Sequence, residues 1–280
     1  MAAVDMGQLI KELREKTGAG MTDCKKALDA AGGRLDDALT ALRKKGLADM
    51  AKRSARATKE GAVAFAVSGR AGALVEITCE TDFVARTDEF KALAQTLAGK
   101  AAAGELSRTE DAKSLVELAQ SKMRENIVAR RLERFERSGE GLIAGYIHLG
   151  AKNGALLELS APTQAAAEHP AVAELAKELL LQIVASSPRF LRREDIPAAD
   201  LAKEREIHTE ILRKEGKPEA AIPKIVEGKL NKLFYQAFCL LEQLSVRDNK
   251  TPVAGLIKEA GAKAGGEVKV VRFARYTLGE

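Results

Sequence analysis

The side chains in this 280-residue chain best equipped for chemistry are three cysteines (Cys24, Cys79, Cys239) and three histidines (His148, His169, His208). None stands at a zinc-ligand spacing. The odd, widely separated cysteines point to reduced thiols in a cytoplasmic compartment and not to a disulfide framework. The sequence has no phosphate-binding loop, no strand-linked dinucleotide fingerprint and no Gly-x-Ser-x-Gly elbow. Gly18-Ala19-Gly20 follows helical sequence, which makes it a helix C-cap, and His148 falls in a predicted strand as an ordinary half-buried histidine would. The expectation is a protein that is not an enzyme and uses neither metal nor cofactor.

What remains is Thr81-Asp82-Phe83-Val84. With eight Phe, three Tyr and no Trp in the chain, an aromatic beside a carboxylate at a strand exit is a conspicuous use of scarce material. Two uses are open: Phe83 folds into the core while Asp82 caps a helix beginning near Asp88, or the turn is a contact tip held by a rigid scaffold.

The elements that must position this turn are legible in the apolar spacing. Leu9, Ile10 and Leu13 share one helical face; Cys24, Ala27 and Leu28 share a second; Leu35, Ala38, Leu39 and Leu42 form a third, ending at Gly46. These predict an N-terminal three-helix unit over residues 1–46. Next comes a basic stretch with Arg43, Lys44, Lys45, Lys52, Arg53, Arg56 and Lys59 against one acid, Asp49. It suits a linker at 47–59. No aromatic lies in it to stack on bases, so direct nucleic-acid binding is not expected.

From Glu60 the period changes to strands and a repeat emerges. Glu60-Gly61-Ala62-Val63-Ala64 resembles Glu140-Gly141-Leu142-Ile143-Ala144, and Gly72 to Ile77 resembles Gly154 to Leu159. Lys152-Asn153-Gly154 marks a hairpin turn, since Asn and Gly both tolerate positive φ. Helical sequence follows each hairpin, at Asp88 to Ala103 and at His169 to Ser186. The predicted fold class is α+β, with a core of two related hairpin-plus-helix halves, 60–139 and 140–280. The second half carries an antiparallel helical hairpin at about 200–238 that reverses at Gly216-Lys217-Pro218. Val268 to Leu278 alternates as a closing strand does.

The bulk numbers fit a globular protein: 46% hydrophobic, 30% charged, net charge +5. No apolar run approaches the roughly 18 residues of a membrane span. Met1 to Ile10 lacks a basic leader followed by an apolar block.

The stretch from Leu13 to Leu28, Leu-Arg-Glu-Lys-Thr-Gly-Ala-Gly-Met-Thr-Asp-Cys-Lys-Lys-Ala-Leu, closely resembles the N-terminal motif of the bacterial elongation factor Ts family. Further blocks follow in the family's order: Thr81-Asp82-Phe83-Val84, Glu125-Asn126-Ile127 with Arg130-Arg131, Gly216-Lys217-Pro218, Lys224 to Gly228, Leu241-Glu242-Gln243 and Arg272 to Arg275. The resemblance implies a guanine-nucleotide exchange factor for the GTPase elongation factor Tu. It implies that Asp82 and Phe83 enter the GTPase near its switch region and disturb the magnesium environment. His148 would reach toward the nucleotide-binding side, and Thr81 and Val84 would share the exchange contact with the partner. Arg14, Met21 and Thr22 would lie on the N-terminal surface that packs on a GTPase helix. Three positions depart from the family: Thr22 replaces a common second Met, Glu80 a Gln or Asn, and Leu244-Ser245 a usual Pro-Phe. Whether the chain acts alone, as a homodimer or in a higher complex with the GTPase stays open. The alternative is a non-exchanging scaffold or RNA-associated helper using the basic stretch.

Overall fold

The computed structural model describes residues 6–280; the side chains of residues 47–52 are outside the described set, and with them Asp49 and Lys52 of the basic stretch. The leader reading falls partly on residues 1–5, also outside it. The fold mixes helix and sheet (α+β), with N-terminal helices followed by two small antiparallel sheets.

Helices α1 (Met6–Thr17), α2 (Met21–Ala30) and α3 (Leu35–Arg53) bury Leu13, Cys24, Leu28, Ala38 and Leu42 in one cluster. Gly18 ends α1 with φ +66°, its amide donating to Arg14 O at 2.8 Å. Gly46, by contrast, does not end α3, which continues through the first part of the basic stretch to Arg53. A glycine inside a helix costs only about 1 kcal/mol relative to alanine, too little to break a helix without a left-handed turn.

The first sheet has the order β1-β2-β3, formed by β1 (Glu60–Ser68), β2 (Ala71–Cys79) and β3 (Val128–Glu136). Between β2 and β3 run the one-turn α4 (Asp82–Ala85), then α5 (Asp88–Ala102) and α6 (Lys113–Met123). The second sheet has the order β4-β5-β6, formed by β4 (Gly141–Ile147), β5 (Asn153–Ser160) and β6 (Lys269–Thr277). Between β5 and β6 lie the one-turn α7 (Gln164–Ala167), α8 (Pro170–Ser186) and α9 (Ala198–Lys214). Then come α10 (Ile222–Lys229), a π-helical segment (Leu230–Tyr235) leading into α11 (Gln236–Phe238), and α12 (Val253–Lys263).

The two sheets face each other across Val63, Leu74, Phe135, Ile143, Leu156 and Tyr276. Phe90 and Leu97 of α5 cover the outer face of the first sheet, and Leu175, Leu179 and Ile183 of α8 cover that of the second. Covered on both faces, the middle strands β2 and β5 are almost continuously apolar. Asn153-Gly154 is not the turn: both residues lie in β5, Asn153 opposite Thr277, and the reversal occupies His148 to Lys152. Gly154 is required by packing instead, since a Cβ there would lie 2.6 Å from Ile147 Cδ1 and 2.9 Å from Val63 Cγ1. Pro218 likewise precedes the second arm of the hairpin. Ala221 closes a turn onto its carbonyl at 2.9 Å, and Pro223 occupies the first turn of α10.

The repeat extends to the third strands at an offset of 141 residues. Glu76 in β2 stands opposite Arg131 in β3, as Glu158 in β5 stands opposite Arg272 in β6, and a bulge follows each glutamate. Glu76 is fully buried; it accepts from Arg131 Nε, from Arg130 Nη1 at 3.0 Å and from the Gly279 amide at 3.0 Å. Arg131 then crosses to the other sheet, donating to Thr277 O at 2.9 Å with its guanidinium 4.2 Å from the Tyr276 ring centroid. Arg272 mirrors this: it donates to Glu158 at 2.7 Å and to Glu136 O at 3.1 Å, and lies 4.3 Å from the Phe135 ring. Each sheet therefore grips the last residues of its partner.

Two glycines make opposite stability predictions. Gly61 has φ +152°, and a Cβ there would run into the Ile77 carbonyl oxygen. Gly99, inside α5, has nothing within 4 Å of a built Cβ. Gly61→Ala is expected to cost about 2–4 kcal/mol and Gly99→Ala to gain about 0.5–1 kcal/mol in urea denaturation. Equal effects of the two would show that backbone fit does not govern these sites.

Candidate functional site

Strand β2 ends at Cys79, and the chain leaves it through Glu80 into α4. The Thr81 hydroxyl caps this single turn, accepting from the Val84 amide at 3.4 Å. Val84 and Ala85 pack against the core beneath the first sheet, which turns Phe83 away from it. Phe83 is 81% exposed. The helix at Asp88 is capped by Thr87, whose hydroxyl accepts from Phe90 N at 3.3 Å, so Asp82 does not cap it. The burial-and-capping reading of this tetrapeptide is thereby overturned. Asp82 instead pairs with Arg86 at 3.0 Å.

The turn is held from behind. Glu125, just past α6, accepts from the amides of Glu80 (3.0 Å) and Thr81 (3.1 Å) and from the Thr81 hydroxyl (2.6 Å). Glu80 accepts from the Asn126 amide at 2.7 Å and pairs with Arg56 at 3.3 Å. A glutamate thus suits position 80 here, where it meets both a donor and a cation. Cys79 is buried and donates to Thr81 O at 3.2 Å; desolvation, reinforced by the nearby Glu125 charge, pushes its thiol up to about 12. Desolvation also raises Cys24, and raises Cys239 to about 11. These thiols stay protonated at neutral pH and are poor nucleophiles. Among the described residues no cluster of His, Cys, Asp and Glu has the geometry of a metal site.

His148 lies just beyond β4, exposed, in the turn to β5 and not within the strand. Its Nδ1 is 3.1 Å from the Tyr146 hydroxyl. Leu149 beside it is 91% exposed, and Gly150 takes φ +87°. This turn is pinned to the first sheet: Val63 N donates to Ala151 O at 2.7 Å, and Lys152 Nζ to Glu60 at 2.9 Å. Asp82 and Arg86 from one segment and Gly150 and Lys152 from the other line a single cleft of about 520 Å³. The fold therefore brings the Thr81–Val84 turn and the His148 turn to one edge of the two-sheet core. Leu149 went unread in the sequence. Its signal was a leucine between a histidine and a glycine at a strand end, where a core leucine has no place.

The two halves differ at this point. Thr163 caps α7 as Thr81 caps α4, accepting from Ala166 N at 3.1 Å, but the residues after it are Gln164 and Ala165. Only the first half carries an aromatic tip.

On the N-terminal helices, Met21 is 61% exposed and Arg14 and Thr22 are exposed as well. Arg14 and Met21 border a groove of about 510 Å³ between α1 and the start of α2, with Thr22 one residue further on. These residues lie on a different element from Phe83 and form a second patch. No described helix is long and apolar enough to cross a membrane.

Comparison with known proteins places the chain. The family model for elongation factor TS matches residues 80–280. The chain is 42% identical over 275 residues to elongation factor Ts of Nitratidesulfovibrio vulgaris (strain DP4), covering 97% of this chain and 95% of the relative. It is 43% identical over 279 residues to elongation factor Ts of Symbiobacterium thermophilum, covering 98% and 91%. To elongation factor Ts of Prosthecochloris aestuarii it is 41% identical over 286 aligned positions, covering 96% and 97%. With the family model matching well over half of the chain and the relatives aligned along nearly all of it, the chain belongs to the elongation factor Ts family and serves translation elongation.

Proposed function

We propose that this protein is the guanine-nucleotide exchange factor for elongation factor Tu: it binds the GDP-bound GTPase, disturbs the magnesium and phosphate site and accelerates GDP release so that GTP can bind. The observation that carries this reading is Phe83, an aromatic left 81% exposed on a turn that the rest of the structure holds still. Leaving a phenylalanine in water forgoes about 1.5–3 kcal/mol of burial, an expense that a partner's pocket can offset.

The mechanism is negative coupling between two ligands of one GTPase. Mg²⁺ demands near-ideal octahedral geometry, so a small shift of its protein ligands loosens metal and phosphate together. Phe83 supplies the apolar volume that forces such a shift. Asp82, held by Arg86, supplies charge at its base, and Thr81 and Val84 fix the turn. His148 and Leu149 extend the contact on the neighbouring turn. By reciprocity, nucleotide weakens binding of this protein as much as this protein weakens binding of nucleotide, so incoming GTP expels it. It needs no metal, cofactor or turnover chemistry of its own. The units that carry this out are an N-terminal three-helix domain whose third helix runs on to Arg53, the connection from there to β1, core halves 60–139 and 140–280 and the hairpin at about 200–238, acting in the cytoplasm.

Arg14, Met21 and Thr22 supply a second, affinity-setting contact to a helix of the same GTPase. Met21→Ala is therefore expected to raise the half-saturating concentration for GDP release by about 3- to 10-fold, leaving the saturating rate unchanged. The overall reading is tested by mixing this protein with elongation factor Tu bound to a fluorescent GDP analogue. Substoichiometric amounts should release the analogue many times faster than spontaneous loss; spontaneous rates at all concentrations would refute it.

A further inference from the structure

The turn that carries Phe83 is held by a carboxylate 44 residues further along the chain. Helix α6 ends on Arg124, a non-glycine residue in the left-handed region at φ 60°. The reversal sends three consecutive side chains to three places. The Arg124 guanidinium rests against α2, so close to Gly20 that a Cβ there would lie 2.9 Å from Nη2. Asn126 donates to Ser54 O at 3.3 Å and Arg56 O at 2.8 Å, fixing the chain that joins α3 to β1. Glu125, between them, clamps the Phe83 turn.

We propose that Glu125 is a positioning residue for nucleotide exchange: its carboxylate sets the Thr81–Val84 turn in its working shape before the GTPase arrives. This rests on the exchange reading above and names what regulates the same site. The hydrogen-bond geometry carries it. One carboxylate oxygen takes the Glu80 and Thr81 amides, and the other takes the Thr81 hydroxyl proton. With that proton committed, the lone pairs of Thr81 Oγ1 are available to the Val84 amide, so the carboxylate also fixes the rotamer of the cap. Hydrogen bonds to an ionised acceptor are roughly twice as strong as neutral ones, which makes one side chain sufficient to order the turn. Ordering it in advance removes a cost that binding would otherwise bear. The second half of the molecule is the internal control. Among the described residues no carboxylate hydrogen-bonds to Thr163, and the turn it caps bears Gln164 and Ala165 in place of an aromatic tip. The clamp accompanies the tip.

The test measures GDP-analogue release from elongation factor Tu against concentration of the full chain, alongside amide hydrogen exchange of the free protein. For Glu125→Ala, the saturating release rate should fall about tenfold while the half-saturating concentration moves less than about threefold, and amides 80–84 should exchange at least about tenfold faster. Glu125→Gln, which keeps an acceptor oxygen for the two amides, should recover most of the rate, and Thr81→Val should fall between. If Glu125→Ala is poorly folded, Thr81→Val carries the same comparison. A saturating rate equal to wild type, or a loss that Glu125→Gln shares in full without faster exchange at 80–84, would overturn the proposal. Wild type and Phe83→Ala are run in parallel. If wild type leaves release at the spontaneous rate, the exchange reading itself has failed; if Phe83→Ala matches an accelerating wild type, only the wedge has failed. Amide exchange in the free Glu125→Ala protein then decides the clamp alone, and unchanged protection refutes it.

Discussion

Phe83→Ala is expected to lower the saturating rate of GDP release by about 10- to 100-fold while most of the affinity for the GTPase is retained. The size follows from the transfer free energy of a phenyl side chain, about 1.5–3 kcal/mol when fully buried, and from the point in the reaction at which it is gained. A side chain that enters its pocket only as the switch region yields contributes to the displaced state and little to the initial encounter. Its removal therefore appears in rate more than in binding. The substitution should be nearly silent in the free protein: at 81% exposure the loss of Phe83 leaves no cavity. Thermal melting should match wild type within about a degree or two, in keeping with surface substitutions of less than about 0.5 kcal/mol. Stopped-flow release with a fluorescent GDP analogue, beside a pull-down of the GTPase, separates the two effects. Unchanged release would remove the wedge from the mechanism; lost binding with an unchanged saturating rate would make Phe83 an anchor.

Glu76→Ala is expected to have the opposite signature, a large loss of stability at a fully buried position. Glu76 is fully buried and answers two arginines and the Gly279 amide. Removing it strands Arg130 and Arg131, and breaking a buried pair from one side costs about 3–5 kcal/mol. Both arginines keep some access to water, so the lower end applies, about 3 kcal/mol. Arg131 is also the bridge to Thr277 O and the Tyr276 ring, so the change should loosen the grip between the sheets as well as the first sheet. Urea denaturation should give a midpoint well below wild type. Glu158→Ala, which strands only Arg272, should fall between the two. A cost under about 1 kcal/mol for Glu76→Ala would mean that water replaces the carboxylate freely and that the reciprocal grip is incidental.

The N-terminal helices, both hairpins, helices α5 and α8, the helical hairpin and the last strand were legible because each carries its own apolar period. Strand β3 was not. Val128–Glu136 holds five charged residues in nine, and its pattern identifies no strand until Glu76 and the partner sheet supply places for Arg131 and Phe135. Likewise Gly46 looked like a helix stop and Asn153-Gly154 like a turn. Those residue types permit a reversal without requiring one, and tertiary packing used the first as a helix interior and the second as a site of close approach.

By itself the sequence determined the family and the repeated hairpins, because these are written in local spacing and in blocks that follow one another along the chain. Only the tertiary structure decided that Phe83 faces water, that Asp82 and Gly150 of the two turns line one cleft, and that Glu125 holds the Phe83 turn from behind. Exposure and long-range hydrogen bonds depend on which segments meet in space. Thr81 and Glu125 lie 44 positions apart, and no local period records that one carboxylate closes on the other's turn.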